Sequence, residues 1–343
     1  MCIDSNKNVR TICYYSSISG KVSWYFASSR SNLDIRFSKK ICWKDLKLNI
    51  EIASDLEIES EPSNNNYPSK SNLVSILTSN LQKAIRRQNL NSAIESAITL
   101  FNIDPLGLVR RLAIIIVEDV ILLEEFPYLL FITATYPMVK PNLNIILRMV
   151  ECLVKSNERD YLPDDFIVEN VSLNSLLDVE NGNLDDLEIS LIYSLYLRSS
   201  YGGSQCDIDM LVGYGQLWKE RFLGKERDHW KQYLLKIPIT LDEMIVGATS
   251  NTFNETSFNK SLLINECVDY HVYPQMLKDI NYYIKPTGIS DDRLKKIIWY
   301  CRSGINTRGN SDDFLKYKER YIGIFTKIER LLNKYSNHKI NEV

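Results

Sequence analysis

The chain has 343 residues, 45% hydrophobic and 24% charged, with 41 Lys and Arg against 43 Asp and Glu for a formal net charge of −2. That composition belongs to a soluble globular protein of about two or three domains with enough apolar material for a sizeable core. It excludes a chain drawn onto nucleic acid or membrane by its overall field, so any such contact needs a local patch.

Residues 10–53 read as strands. The runs RTICYYSS, KVSWYFASS, LDIRFS and LKLNIEIA are β-branched and aromatic, and Gly, Ser and Asn separate them. The expected architecture is α+β, a small N-terminal β module ahead of a mostly helical body. Its expected division is a basic β-rich module over 1–53, an acidic and then Asn/Ser/Pro-rich linker over 54–72, a helical domain over 73–160 and a second helical domain over 161–343.

From residue 73 the apolar period becomes helical, with Leu73, Ile76, Leu77, Leu81 and Ile85 on one face. Ser92 and Glu95 form a capping-box pattern, which predicts a helix start at Ser92. Asp104 and Pro105 stand as N-cap and first residue of the next helix, RRLAIIIVED. Further helices are predicted over 127–136 and 141–155, then a loop at NERDYLPDDF. The run LDDLEISLIYSLYLRSS is helical up to Gly202-Gly203, and CDIDMLVGYGQLWKERFLG is helical with a break expected near Gly213. Residues 234–260 read as mostly irregular. SDDRLKKIIWYCRSG begins at a Ser290 cap with two aspartates that suit the helix dipole. A similar start at Ser311 opens what reads as one long helix. Its two apolar rows are Phe314, Tyr321, Ile328 and Tyr335, and Tyr317, Ile324 and Leu331. They suit packing on the helix's own domain, with a coiled-coil contact between chains in a homo-oligomer as the alternative.

The greasiest region, 112–138, is interrupted by Glu118, Asp119, Glu124, Glu125 and Pro127, which argues against a bilayer span. The first residues lack an apolar run of signal-peptide length. Seven cysteines are scattered without a Cys-x-x-Cys pair, which argues against a zinc ribbon and for reduced thiols. The expected setting is therefore intracellular (cytoplasm, nucleus or viral factory) with no membrane partner. The abundance of Asn, Ile, Lys and Tyr fits an AT-rich genome.

Few motifs carry chemistry. Gly20-Lys21 follows a strand, but Tyr15 stands where a phosphate loop needs its first glycine and Val22 where it needs a hydroxyl. Gly213-Tyr214-Gly215 lacks the third glycine of a dinucleotide fingerprint. No cofactor and no metal site is expected from these motifs. Cys267, Asp269 and His271 alternate along an extended segment and could face a metal or a base. Glu118, Asp119, Asp207 and Asp209, with Asp269 and His271, are the catalytic candidates; a metal-dependent nuclease would need them to converge within about 4 Å of the ions. Ion pairs and helix caps are the plainer use of such acids.

Basic patches are better supported. Residues 1–48 hold nine Lys and Arg against three acids, interleaved with aromatic residues. Lys21, Arg30, Arg36, Lys39 and Lys40 would meet phosphates, and Trp24 and Tyr25 would stack on bases of single-stranded nucleic acid. Arg86 and Arg87 add a helical basic pair, and Arg293, Lys295, Lys296 and Arg302 a second cluster.

Within residues 73–122, the residues Lys83, Arg86, Asp104, Pro105, Leu106, Arg110, Arg111, Leu112, Glu118 and Asp119 form a pattern. It resembles the C-terminal helical collar of the replication-associated recombination ATPases of the RarA/MgsA type. The likeness implies a helical scaffold for assembly, or for association with stalled forks. The ATPase core is missing from the match, so ATP hydrolysis is not implied. The expected function is a non-enzymatic, nucleic-acid-associated scaffold or accessory factor of replication or repair. The alternatives are a metal-dependent nuclease or other enzyme of nucleic-acid metabolism, and a structural oligomer or interaction protein, viral ones included. In RRLAIIIVED itself, Glu118 or Asp119 is expected to latch onto Arg86 or Arg87 of a neighbouring helix.

Overall fold

The computed structural model describes residues 8–58, 71–163, 165–237, 262–263, 274–302, 306–308 and 311–342. The architecture is α+β. The strands are β1 (Ile12–Ser16), β2 (Lys21–Tyr25), β3 (Phe37–Trp43) and β4 (Leu48–Ser54). Among the described residues nine helices follow before residue 238: α1 (Ser71–Arg86), α2 (Leu90–Ile103), α3 (Pro105–Asp119), α4 (Phe126–Thr135), α5 (Leu143–Lys155), α6 (Leu173–Asn181), α7 (Asp186–Ser199), α8 (Gln205–Leu223) and α9 (Arg227–Tyr233). Among the described residues the chain ends in α10 (Pro274–Ile284), α11 (Asp291–Arg302), α12 (Ser311–Arg320) and α13 (Ile322–Glu342). Two compact units emerge, neither continuous in sequence. One holds Met1–Asn66, Val109–Arg148 and Asp160–Ser250; the other holds Tyr67–Leu108, Met149–Arg159 and Asn251–Val343.

In the first unit the sheet order is β2-β1-β4-β3, with β1 parallel to β4 and the other pairs antiparallel. The third strand begins only at Phe37, the fifth residue of LDIRFS, and runs on to Trp43. Residues 27–32 form a 3-10 turn instead, and Leu33 and Ile35 pack with Tyr25 over Ile12, Tyr14 and Ala53. That covers one face of the sheet, because the period-2 alternation puts Ile12, Tyr14 and Ala53 on the same side. The other face meets helices: Trp24 packs tilted against Tyr193 of α7 with ring centroids 4.9 Å apart, and Tyr15 stacks on Phe131 of α4 at 4.9 Å. Burial on both faces, not a solvated basic sheet, explains the density of aromatic residues in these strands.

Helix α7 is the centre of this unit, buried from Glu188 to Ser199. Its N-terminus is set by a capping box in which Asp185 accepts from the Glu188 amide and Glu188 accepts from the Asp185 amide. Helix α8 runs unbroken through Gly213 and Gly215, against the expected break. The glycines serve close approach: a Cβ on Gly215 would lie 2.4 Å from Tyr196 Cε1, and one on Gly213 3.0 Å from Leu162 Cδ1.

In the second unit α1 packs on α2 through small residues. Buried Asn80 donates to Ser92 Oγ at 3.0 Å and Ser96 Oγ at 2.7 Å. The N-cap of α2 is Asn89, whose side chain accepts from the Ser92 amide; Ser92 lies inside the helix, and the sequence reading is corrected by three positions. Asp104 does cap α3, accepting from the Gly107 amide at 2.9 Å. Buried Arg308 donates to the carbonyls of Ile85, Leu153, Val154 and Ser156, so it satisfies the C-terminal ends of α1 and α5.

The single long helix expected from Ser311 is two helices. The break falls at Tyr321, whose amide bonds back to both Tyr317 and Lys318. Phe325 and Ile328 are buried with Ile280, Ile284, Leu294, Ile297, Ile298 and Cys301, and Tyr317, Tyr321, Ile324 and Leu331 pack against that cluster. Tyr317, Tyr321, Ile324, Ile328 and Leu331 of the apolar rows thus face α10 and α11 of their own unit. No helix is long and apolar enough to cross a membrane among the described residues. Cys13, Cys152, Cys206 and Cys301 are free thiols, while Cys42 is disulfide-bonded, so the expectation of reduced thiols fails at Cys42.

Candidate nucleic-acid interface

The sheet spends most of its cations and aromatic residues internally. Trp24 is 0% exposed against Tyr193, and Tyr25 is half-buried with its ring edge-on to Tyr14. Arg30 pairs with Glu51 at 3.0 Å. Arg36 pairs with Asp34 at 3.3 Å and Glu57 at 2.8 Å, and Lys39 donates to the Ala134 carbonyl at 3.0 Å. Lys21 and Lys40 are exposed and have no ion pair among the described residues. Arg86 and Arg87, at the end of α1, are half-buried and both engaged in interactions.

The acids do not assemble into one site. Asp119 is buried and Glu118 half-buried at the end of α3, and neither is free. Asp207 completes the cap of α8 with Ser204, and Asp209 accepts from Gln205 at 2.7 Å. Asp269 and His271, with Cys267, lie outside the described residues. Among the described residues no group of three or more His, Cys, Asp or Glu is arranged to hold a metal ion.

A different surface joins aromatic faces to cations. Helix α11 carries Arg293, Lys296, Trp299 and Tyr300 at helical spacings of three and four, and Tyr317 and Tyr321 reach it from α12 and the following turn. The rings form a continuous run. Centroid distances are 5.2 Å for Trp299–Tyr300, 5.6 Å for Tyr300–Tyr317 and 4.9 Å for Tyr317–Tyr321. Lys296 Nζ lies 5.1 Å from the Tyr317 centroid and 5.8 Å from that of Tyr300; the Arg320 guanidinium lies 5.5 Å from that of Tyr321. Trp299 is 51% exposed and the three tyrosines are half-buried. Burial raises the Tyr317 hydroxyl above its ordinary pKa, with Arg293 opposing. Arg293, Lys296 and Arg320 are exposed and unpaired by acids among the described residues. The surrounding segment 274–342 holds fourteen Lys and Arg against eight Asp and Glu in a chain of net charge −2.

No family model, curated protein or solved structure matches this chain. The candidate site therefore rests on its geometry.

Of the basic members of this surface, Arg293 and Lys296 were visible in sequence, and Arg320 was not singled out. The rings were not singled out either, although Trp299 and Tyr300 lie three and four residues beyond Lys296, the spacing that puts all three on one helix face. What sequence could not show is that α12 folds back and brings Tyr317 beside Tyr300.

Proposed function

We propose that this protein is a non-enzymatic, nucleic-acid-associated accessory factor that holds single-stranded nucleic acid on the aromatic and basic face of α11 and α12. One observation carries the reading: the run Trp299–Tyr300–Tyr317–Tyr321 flanked by Arg293, Lys296 and Arg320. A half-exposed indole offers a base a stacking face, and cations without an ion pair among the described residues lie beside the rings, where they could meet phosphates. A place in replication or repair rests on the collar resemblance in residues 73–122 alone.

The test is fluorescence anisotropy of a labelled oligothymidylate and an oligouridylate with the full chain. Trp299→Ala is expected to weaken binding by about 1–3 kcal/mol while leaving the thermal midpoint unchanged, because the ring is half-exposed. Absence of binding at low salt, or a Trp299→Ala variant with undiminished affinity, refutes the reading.

A further inference from the structure

A second basic site lies in the first unit, at the end of α7. Arg198, in the last turn of that helix, is 3% exposed. Its Nη1 donates to the Gly202 carbonyl at 3.2 Å and its Nη2 to the Arg110 carbonyl at 3.1 Å, while its buried Nε has no partner among the described residues. Arg110 is half-buried and donates through Nη2 to the Tyr201 carbonyl at 2.7 Å. Arg111, also half-buried, follows it on α3 and acts electrostatically on Arg198.

Three guanidinium groups thus share one neighbourhood, and among the described residues no ion pair joins any of them to a carboxylate. The acid that acts on Arg198 is Asp207. Its carboxylate is already committed to the Ser204 amide at the start of α8. Burial first, then Arg110, pushes the Arg198 pKa down to about 10, with Arg111 adding to the effect and Asp207 opposing it. Crowding like charges in a desolvated place is costly, and an anion bound among them offsets the cost.

The turn between α7 and α8 brings glycine, not a side chain, beside Arg110. Gly202 and Gly203 have φ of +81° and +148°, which L side chains rarely adopt. A Cβ on Gly202 would approach Arg110 Nη2 to 3.9 Å. The backbone can therefore stay close without a side chain covering the guanidinium. Guanidinium forks match the geometry of tetrahedral oxyanions better than any other side chain.

We propose that Arg110, Arg111 and Arg198, with the turn Tyr201–Gly203, bind a phosphate-type oxyanion. This site shares no residue with the ring surface of α11 and α12 and does not rest on that reading. The same chemistry has two sources, a small free phosphate or the phosphodiester of a nucleic acid, and the test separates them.

Isothermal titration of the full chain with inorganic phosphate and with pyrophosphate, at ionic strength held constant with sodium chloride, tests the first source. A Trp299→Ala background titrated with an unlabelled oligothymidylate tests the second. Saturable heat in either arm, weakened about tenfold by Arg111→Gln, supports the site. Arg111 is half-buried and without an ion pair among the described residues, so its replacement should fold, which circular dichroism checks. Arg110→Lys, which keeps charge but loses the fork, provides a second variant with the same expected loss. Absence of saturable heat in both arms overturns the proposal, and so does equal affinity in wild type and both variants. Phosphate binding that survives in Trp299→Ala while oligonucleotide binding vanishes leaves this site standing whatever becomes of the ring surface.

Discussion

Glu125 shows how one side chain can set a pH dependence. It lies at the start of α4, where both carboxylate oxygens accept from the Ile237 amide, at 3.3 and 3.4 Å. Burial raises its pKa to about 7, with Glu124 adding; the Ile237 amide and Lys236 oppose. Free glutamate ionises near 4.5. Between those two values the folded chain holds a proton that the unfolded chain has lost, so stability falls as pH rises through the window. Glu125→Gln removes the dependence. Urea midpoints compared at about pH 5 and pH 8 should show the wild type losing stability on the order of 2 kcal/mol relative to the variant. A constant difference between the two proteins across that range contradicts the assignment. Nothing in the sequence marks Glu125 out from Glu124: the shift arises because the segment around Leu235 pairs back onto Leu123 and covers it.

At the scale of elements, capping chemistry was legible and packing was not. Asp104 caps α3 as its position before proline indicates, because a cap needs only a local oxygen and the right backbone. Asn89 displaced Ser92 as the cap of α2 because Ser92 was wanted elsewhere: it accepts from Asn80 across the α1–α2 contact and donates to the Leu262 carbonyl. A break was expected near Gly213, with Gly215 two residues on, because glycine costs about 1 kcal/mol in a helix interior. The structure uses them inside α8, where Tyr196 and Leu162 press against the helix backbone. Gly215→Ala should therefore destabilise the protein by about 1–3 kcal/mol through overpacking, although alanine is the better helix former. Thermal or denaturant unfolding measures it; an Ala variant as stable as wild type would show that Tyr196 yields at no cost. The break at Tyr321 was hidden for a related reason. Its seven-residue apolar period runs straight through the turn, since the residues on both sides bury against the same Ile297–Phe325 cluster.

For the molecule as a whole, a net charge of −2 conceals strong segregation. Residues 1–48 carry nine Lys and Arg against three acids and residues 274–342 fourteen against eight, so the remainder is strongly acidic. A patch of this kind acts through local field and counterion release. If Arg293, Lys296 and Arg320 meet three phosphates of a single strand, the logarithm of the binding constant should fall against the logarithm of salt concentration with a slope of about −2, and Arg320→Ala should reduce that slope by about 0.7. Anisotropy titrations across a salt series read both. A slope near zero in the wild type removes the phosphate contacts from the picture.

The sequence by itself determined the fold class, most helix positions and starts, and the two basic segments, because period, caps and local charge are properties of neighbouring residues. The opening strands were legible for the same reason, apart from the shift of β3 by the turn that covers the sheet. Which cations and rings remain free was decided only by tertiary structure. Trp24 and Trp299 are equally aromatic and equally close to lysines in the chain, yet one is sealed against Tyr193 and the other is half-exposed. Arg30 and Arg36 are neutralised by Glu51, Asp34 and Glu57, while Arg110, Arg111 and Arg198, from helices some ninety positions apart, gather without an ion pair among the described residues. Burial and ion pairing depend on contacts between distant segments, and those are fixed only when the helices pack.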